Sequence, residues 1–364
     1  MRILIAIVAL MLSVPSVYAQ KENGEQQRMA MRQTTKTNAK HPYVCTDEYV
    51  ELMEIIARLA NNSIFNNSYA PRYQKDCDEY FAAFKTHKAV SWMHDQLPRF
   101  GISYDAVPWL GLHLKWNGQG FTVIPNCNEN YKRWPKEAVS EFIPLLNDFY
   151  EKSNFHKFYV LHEPMYKAAV YSVKTNIADY IDLDWFERFF KVKDKVDFRI
   201  VVGMNNGTGS FGIERQIPGR NREKIAVLLY SEGPDGAPYY RKDNEEDKIL
   251  VHEFCHPYIK AKGKYEKYKD IGEALLNKYR KKLNSVGYGT WQNVVEESLV
   301  RASVIRYMLD HGYSDEAIRK EIKAEHEYYG FVWLPENIEW YKGDVFSLFD
   351  NPKSLMLNLN CSCK

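Results

Sequence analysis

The sequence predicts an α+β fold in which a small mixed sheet is set among helices, and three observations lead there. Apolar residues recur at helical spacing through most of the first half. Alternating, β-branched segments occur only between about residues 195 and 230. Helical spacing then resumes near Glu245 and continues to about Tyr329. No repeat of fixed period and no Pro/Ser-rich linker divides the 364 residues. The expected organisation is therefore a helical N-terminal region, 42–194, joined in one compact unit to a second region, 195–364.

The elements follow in chain order. Met1-Arg2 precedes an apolar stretch from Ile3 to Val17, and Val17-Tyr18-Ala19 offers small residues where a signal peptidase reads them. Residues 1–19 are expected to be a cleavable signal peptide. About 15 apolar residues fall short of the ~20 that span a bilayer, and no Cys follows the cut to carry a lipoprotein anchor. The mature protein is expected to be secreted or periplasmic, with no membrane span. Residues 20–41 are almost wholly polar and read as a flexible tail.

Thr46 can cap a helix carrying Tyr49, Leu52, Ile55, Ile56 and Leu59. Further helical patterns cover roughly Asp76 to Gln96, Lys136 to Lys152 and His156 to Ile181. Val196 to Met204 alternates and reads as a strand; Lys224 to Tyr230, apolar throughout, is another.

Charge and cysteine content restrict the partners. Forty-nine Lys+Arg nearly cancel 47 Asp+Glu, so no basic field draws the chain to nucleic acid or anionic lipid. The aromatic excess, 26 Tyr, 18 Phe and 8 Trp, reads first as core. Six cysteines suit export, but six allow fifteen connectivities and none is assigned.

One segment carries chemistry: His252-Glu253-Phe254-Cys255-His256, set in the apolar run Ile249-Leu250-Val251 and followed by Tyr258 and Ile259. Residues four apart share a helix face, so His252 and His256 can direct two imidazoles at one zinc ion. Glu253, about 100° further round, can reach a water without being a ligand. Chance alone would place such a pentapeptide in roughly two per cent of chains of this composition. Against chance stands burial, because two imidazoles and a carboxylate in an apolar helix are costly unless something pairs them.

A third ligand is needed. On the helix from Trp291 to Gly312, Glu297 shares a face with Arg301, Val304 and Met308, and is favoured; Glu296 and Glu273 are the alternatives. Other motifs are weaker. Gly207-Thr208-Gly209-Ser210-Phe211-Gly212 fits G-x-G-x-x-G, but Pro218 and Gly219 spoil the helix a dinucleotide site needs, so a hairpin or edge-strand turn accounts for it better. His113 and His162-Glu163 read as hydrogen-bonded core, and Lys278 to Lys282 as a solvated helix face.

The spacing resembles the His-Glu-x-x-His zinc hydrolases known as zincins. The metzincin form fails, with no His between His256 and His311, and the aspzincin form lacks its Asp after Gly289-Thr290. The gluzincin form takes a Glu from a downstream helix, which this chain offers. His-Glu-Phe-x-His, a gap of 40 residues and Glu-x-x-Val-Arg-Ala also resemble a family of secreted Bacteroides-type proteins, domain of unknown function 4932, over about residues 195 to 320.

The gluzincin resemblance implies a zincin-like fold, with an edge strand over the His-Glu helix; Val196 to Gly212 is the plausible strand by position. It implies His252, His256 and Glu297 as zinc ligands and Glu253 as general base of a metallopeptidase acting on a peptide or protein substrate. The alternative is a secreted peptide- or glycan-binding protein on an inactive zincin scaffold.

Overall fold

The structure, a computed structural model, describes residues 40–350 except 68, 125–132, 193–194, 234, 239, 241–246 and 263–264. The expected signal peptide, nearly all of the polar tail, Cys127, Cys361 and Cys363 therefore lie outside the described residues. Cys45, Cys77 and Cys255 are free thiols. No helix among the described residues is long and apolar enough to cross a membrane.

The first helix, α1 (Glu48–Leu59), is capped by Asp47, whose carboxylate accepts the backbone N–H groups of Tyr49 (3.1 Å) and Val50 (3.3 Å). Thr46, the expected cap, instead pairs its hydroxyl with that of Tyr159 at 2.7 Å. Val50, Leu52, Met53, Ile55 and Ile56 are all fully buried, so α1 runs through the interior rather than along the surface.

The long pattern expected over Asp76 to Gln96 is broken into α2 (Pro71–Tyr80), a short 3₁₀ turn and α3 (Lys88–Phe100). There follow α4 (Ala106–His113), the hairpin of β2 (Leu114–Trp116) and β3 (Phe121–Val123), then α5 (Lys136–Lys152), α6 (Phe155–Leu161), α7 (Glu163–Asn176) and α8 (Leu183–Phe190). The aromatic excess is largely core here: Phe81 lies against Phe149, Phe155 and Phe158 with ring centroids 4.8–5.9 Å apart.

The main sheet is mixed and has four strands. β4 (Val196–Gly203) pairs in parallel with β6 (Arg222–Leu229), Val196 opposite Arg222 and Gly203 opposite Leu229. β5 (Phe211–Gln216) runs antiparallel to β6, Phe211 opposite Val227. The far edge is β1 (Tyr43–Cys45), which pairs in parallel with β4, Tyr43 opposite Arg199. The order is β1-β4-β6-β5.

Residues 196–203, expected at the edge, are thus interior. The unrecognised strand β1 covers one side, and the glycine-rich stretch leads not into a helix but into β5, which is the edge. Ile225 to Leu228 are buried without alternation because β6 is a central strand. Since β1 precedes α1, the helical region and the sheet share one hydrophobic core.

Four α-helices follow, α9 (Asp247–Lys262), α10 (Lys269–Ser285), α11 (Trp291–Asp310) and α12 (Asp315–Ala324), and after them a π-helical turn (Glu325–Tyr329) and two 3₁₀ turns (Ile338–Lys342, Val345–Ser347). Helix α9 lies against β5, β6 and α11, placing it between the sheet edge and the helix that carries Glu297.

Candidate metal centre

Leu250, Val251, Phe254, Cys255, Tyr258 and Ile259 of α9 are buried, and Phe254 meets the rings of Phe186 and Phe198 edge-on. This packing fixes the rotation of α9 and leaves His252, Glu253 and His256 on the side toward β5 and α11. The strand approaches unusually closely. A Cβ at Gly212 would lie 2.0 Å from the Glu253 carbonyl oxygen and 2.9 Å from the His256 Cβ, so β5 can lie there only as glycine.

Helix α11 begins at a Thr290 cap, whose hydroxyl accepts the Asn293 N–H at 3.2 Å. Two turns in, it brings the buried Glu297 to the paired imidazoles. His252 Nε2 and His256 Nε2 are 3.2 Å apart; Glu297 Oε2 is 3.5 Å from the first and Oε1 is 3.5 Å from the second. Donors bound at 2.0–2.1 Å around a tetrahedral ion lie roughly 3.3 Å from one another. The separation of the two imidazoles and the nearest Glu297 oxygen to each come close to that figure, one atom from each residue lies within 4.8 Å of the others, and the donor set of two imidazoles and a carboxylate suits zinc. Among the described residues these three form the only group of this kind.

Glu296 is next to Glu297 but points elsewhere. Its Oε1 lies 2.6 Å from His256 Nδ1, on the far side of the ring from Glu297, and 3.5 Å from Lys260 Nζ. A carboxylate there fixes the imidazole's orientation and tautomer, leaving Nε2 free to bind. Glu273, on α10, is outside the cluster.

A second ring of contacts holds Glu297. Arg301, one turn on, donates from Nη2 to Glu297 Oε2 (3.3 Å) and to the Tyr288 hydroxyl (2.8 Å), which itself donates to Glu297 Oε2 (3.2 Å). The other arm of the guanidinium pairs with Glu325, and the group lies over the rings of Tyr329 and Phe331 at 4.3 and 4.5 Å. Burial opposes ionisation of Glu297, but the imidazoles of His256 and His252 and the Arg301 guanidinium outweigh it and hold the carboxyl well below its usual range.

The Glu253 carboxyl behaves oppositely. Burial pushes it up; the nearby His256 lowers it and the Glu297 charge raises it, leaving it at about 7. Two carboxyls beside one imidazole pair are driven apart in pKa, the pattern expected of groups with different roles.

Sequence reasoning did not identify Tyr288, Glu325 or the partnership of Glu296 with His256. Only Glu296, one residue from the favoured ligand, carried a signal. Of the weaker motifs, His113 is buried with Nδ1 2.7 Å from the Trp109 carbonyl oxygen, and His162 sits between the Phe158 carbonyl and Asp76. Lys278, Arg280, Lys281 and Lys282 are exposed.

The profile of the family described as Domain of unknown function (DUF4932) matches residues 128–342, further toward the N-terminus than the 195–320 expected from the motifs. The match takes in the whole candidate centre as well as α5 to α8. No curated protein and no solved structure shows significant similarity to the chain.

Proposed function

The chain belongs to the DUF4932 family, whose description assigns no activity, and from its own site we propose that it is a gluzincin-type, zinc-dependent peptide hydrolase on a zincin-like scaffold. The observation that carries this reading is the convergence of His252 Nε2, His256 Nε2 and the Glu297 carboxylate, whose Oε2 lies 3.5 Å from the first nitrogen and Oε1 3.5 Å from the second, with the Glu253 carboxyl next along the helix and outside the group.

His252, His256 and Glu297 would hold the ion, three protein ligands leaving a fourth position open. Zinc bound there supplies Lewis acidity, polarising a carbonyl and bringing the pKa of water near 7. The chain supplies the rest. Glu253, held near 7, is matched to taking a proton from water and passing it to a leaving amine. Glu296 holds the His256 ring, while Tyr288 and Arg301 hold the Glu297 carboxylate. The outer edge of β5 pairs with no strand among the described residues, and an extended peptide can lie along it.

The test is Glu253→Gln, assayed for zinc content and for cleavage of a mixed peptide library. Zinc should be retained and cleavage lost. Equal turnover by variant and wild type would remove the assigned base, and a zinc-loaded wild type that binds peptides without cleaving any would favour the binding-protein alternative.

A further inference from the structure

The zinc triangle leaves a second set of buried acidic groups unused. Glu51 and Glu54 stand three residues apart on α1, neighbours on one helix face, and both are fully buried. Glu51 is partly satisfied: Oε1 accepts the Met204 N–H at 2.7 Å and Oε2 the Tyr73 hydroxyl at 2.8 Å. Glu54 is not. Neither of its oxygens has a donor in hydrogen-bond geometry; burial pushes the carboxyl well above its usual range, the Glu51 charge adds to this, and the nearby Asn205 N–H opposes it only in part.

Two more buried oxygens without a donor belong to the residues that follow β4, whose backbone comes up to Glu54. Asn205 and Asn206 follow β4, both buried, and the side-chain carbonyl of each is unpartnered. Their amide nitrogens are already used. Asn205 Nδ2 donates to Cys77 Sγ at 3.3 Å, and Asn206 Nδ2 donates to the carbonyls of Gly209 (3.0 Å) and Val227 (3.1 Å). An amide flip would therefore sacrifice bonds, and oxygen is what remains. A Cβ at Gly203 would lie 2.9 Å from Glu54 Oε1 and 3.1 Å from Asn206 Cγ, so carboxylate and amide border the same small space beside a residue with no side chain.

Acceptors thus meet acceptors. No ion pair to either carboxylate is formed among the described residues: Arg58, one turn further along α1, is committed to Asp78 (2.8 Å) and to the Asn67 carbonyl (3.1 Å). Asp47 adds further negative charge. Protonating Glu54 would supply a single O–H, leaving its own second oxygen and the side-chain carbonyls of Asn205 and Asn206 with one donor among the three. A divalent cation answers all of them and both charges. Carboxylate and amide oxygens with no imidazole or thiolate among them are hard donors, suited to calcium or magnesium. Magnesium keeps several of its waters, whereas calcium takes many protein oxygens in irregular geometry.

We propose that Glu54 and the side-chain carbonyls of Asn205 and Asn206, with Glu51 supplying the second negative charge, form a calcium-binding site that ties α1 to the end of β4. It stands apart from the zinc triangle in residues and in donor chemistry, and does not depend on the hydrolase reading.

The experiment uses the full chain, stripped with chelator, reloaded with zinc, and then given CaCl2 or MgCl2. Bound metal is measured by elemental analysis and stability by thermal unfolding. One calcium per chain and a rise in Tm of several degrees are expected, with a weaker response to magnesium. Glu54→Gln should lose the calcium response and keep its zinc. Should that variant fail to fold, Asn206→Ala serves in its place, and the wild-type titration decides on its own. No calcium bound and no shift in Tm, an equal response to magnesium, or a calcium response surviving in Glu54→Gln would each overturn the site.

Discussion

Replacing Gly212 by alanine tests whether the close seating of β5 on α9 is what holds the candidate centre together. The added Cβ would lie 2.0 Å from the Glu253 carbonyl oxygen, whereas ordinary contact begins at 3.4 Å, so about 1.4 Å must be found. Both sides of the clash are backbone, and no rotamer change relieves it. Overpacking costs typically ~1–3 kcal/mol, and a backbone conflict belongs at or above the top of that range, a fall in Tm of about 4 °C or more for a chain this size. If α9 yields, the imidazoles move relative to Glu297. Donors sharing one ion at ~2.1 Å can be at most about 4.2 Å apart, and a 1.4 Å shift from a starting separation of 3.5 Å can exceed that. Thermal unfolding together with zinc content is the assay, with Gly209→Ala as control, since a Cβ there meets only the Phe211 ring at 3.7 Å. Gly212→Ala matching the control in both would refute the reasoning.

Three further outcomes follow from named contacts. Glu296→Ala should weaken zinc binding by about 10–100-fold while Glu297→Ala removes a ligand outright; measured by chelator competition, the reverse ranking would exchange the two residues' roles. Arg301→Met should destabilise the protein by about 3–5 kcal/mol by leaving Glu325 buried beside no cation, and adding Glu325→Gln should restore part of that in urea unfolding. His113 gives a pH dependence with a definite sign. Burial holds its imidazole down at about 4 despite the Trp109 carbonyl, so the unfolded chain binds a proton between about pH 6.5 and 4 that the folded one does not. Its contribution is complete above pH 6.5 and lost as pH falls toward 4, by about 3 kcal/mol; His113→Gln should flatten that part of the urea-midpoint profile, and an unchanged slope would contradict the assignment.

What could be read from the sequence follows from how local each signal is. The helix bearing His252 and His256 was legible because spacing and flanking apolar residues lie within one segment. Strand β4 was legible by alternation, but its place in the sheet was not. An interior strand needs two neighbours, and β1 is three residues long, separated from its partner by some 150 positions. The cap fell to Asp47 instead of Thr46 because the Tyr159 hydroxyl, over 110 residues away, takes the threonine.

The same limit explains the adjacent glutamates, and shows where a residue's role is actually decided. Glu296 and Glu297 differ by about 100° of helix rotation, and nothing local says which of them meets the imidazoles. That is set by the packing of α11 on α9 and by Arg301, which reaches one turn back to Glu297 and holds its carboxylate. Arg301 in turn depends on Glu325, on Tyr288 and on the Tyr329 and Phe331 rings, none of which carries a pattern of its own. A buried guanidinium with this many partners is a costly way to stabilise a fold, since apolar residues would pack there at less expense. Its presence makes sense if the carboxylate it orients must stand in one place, and that requirement is the physical link between the charge network of α11 and the donor triangle.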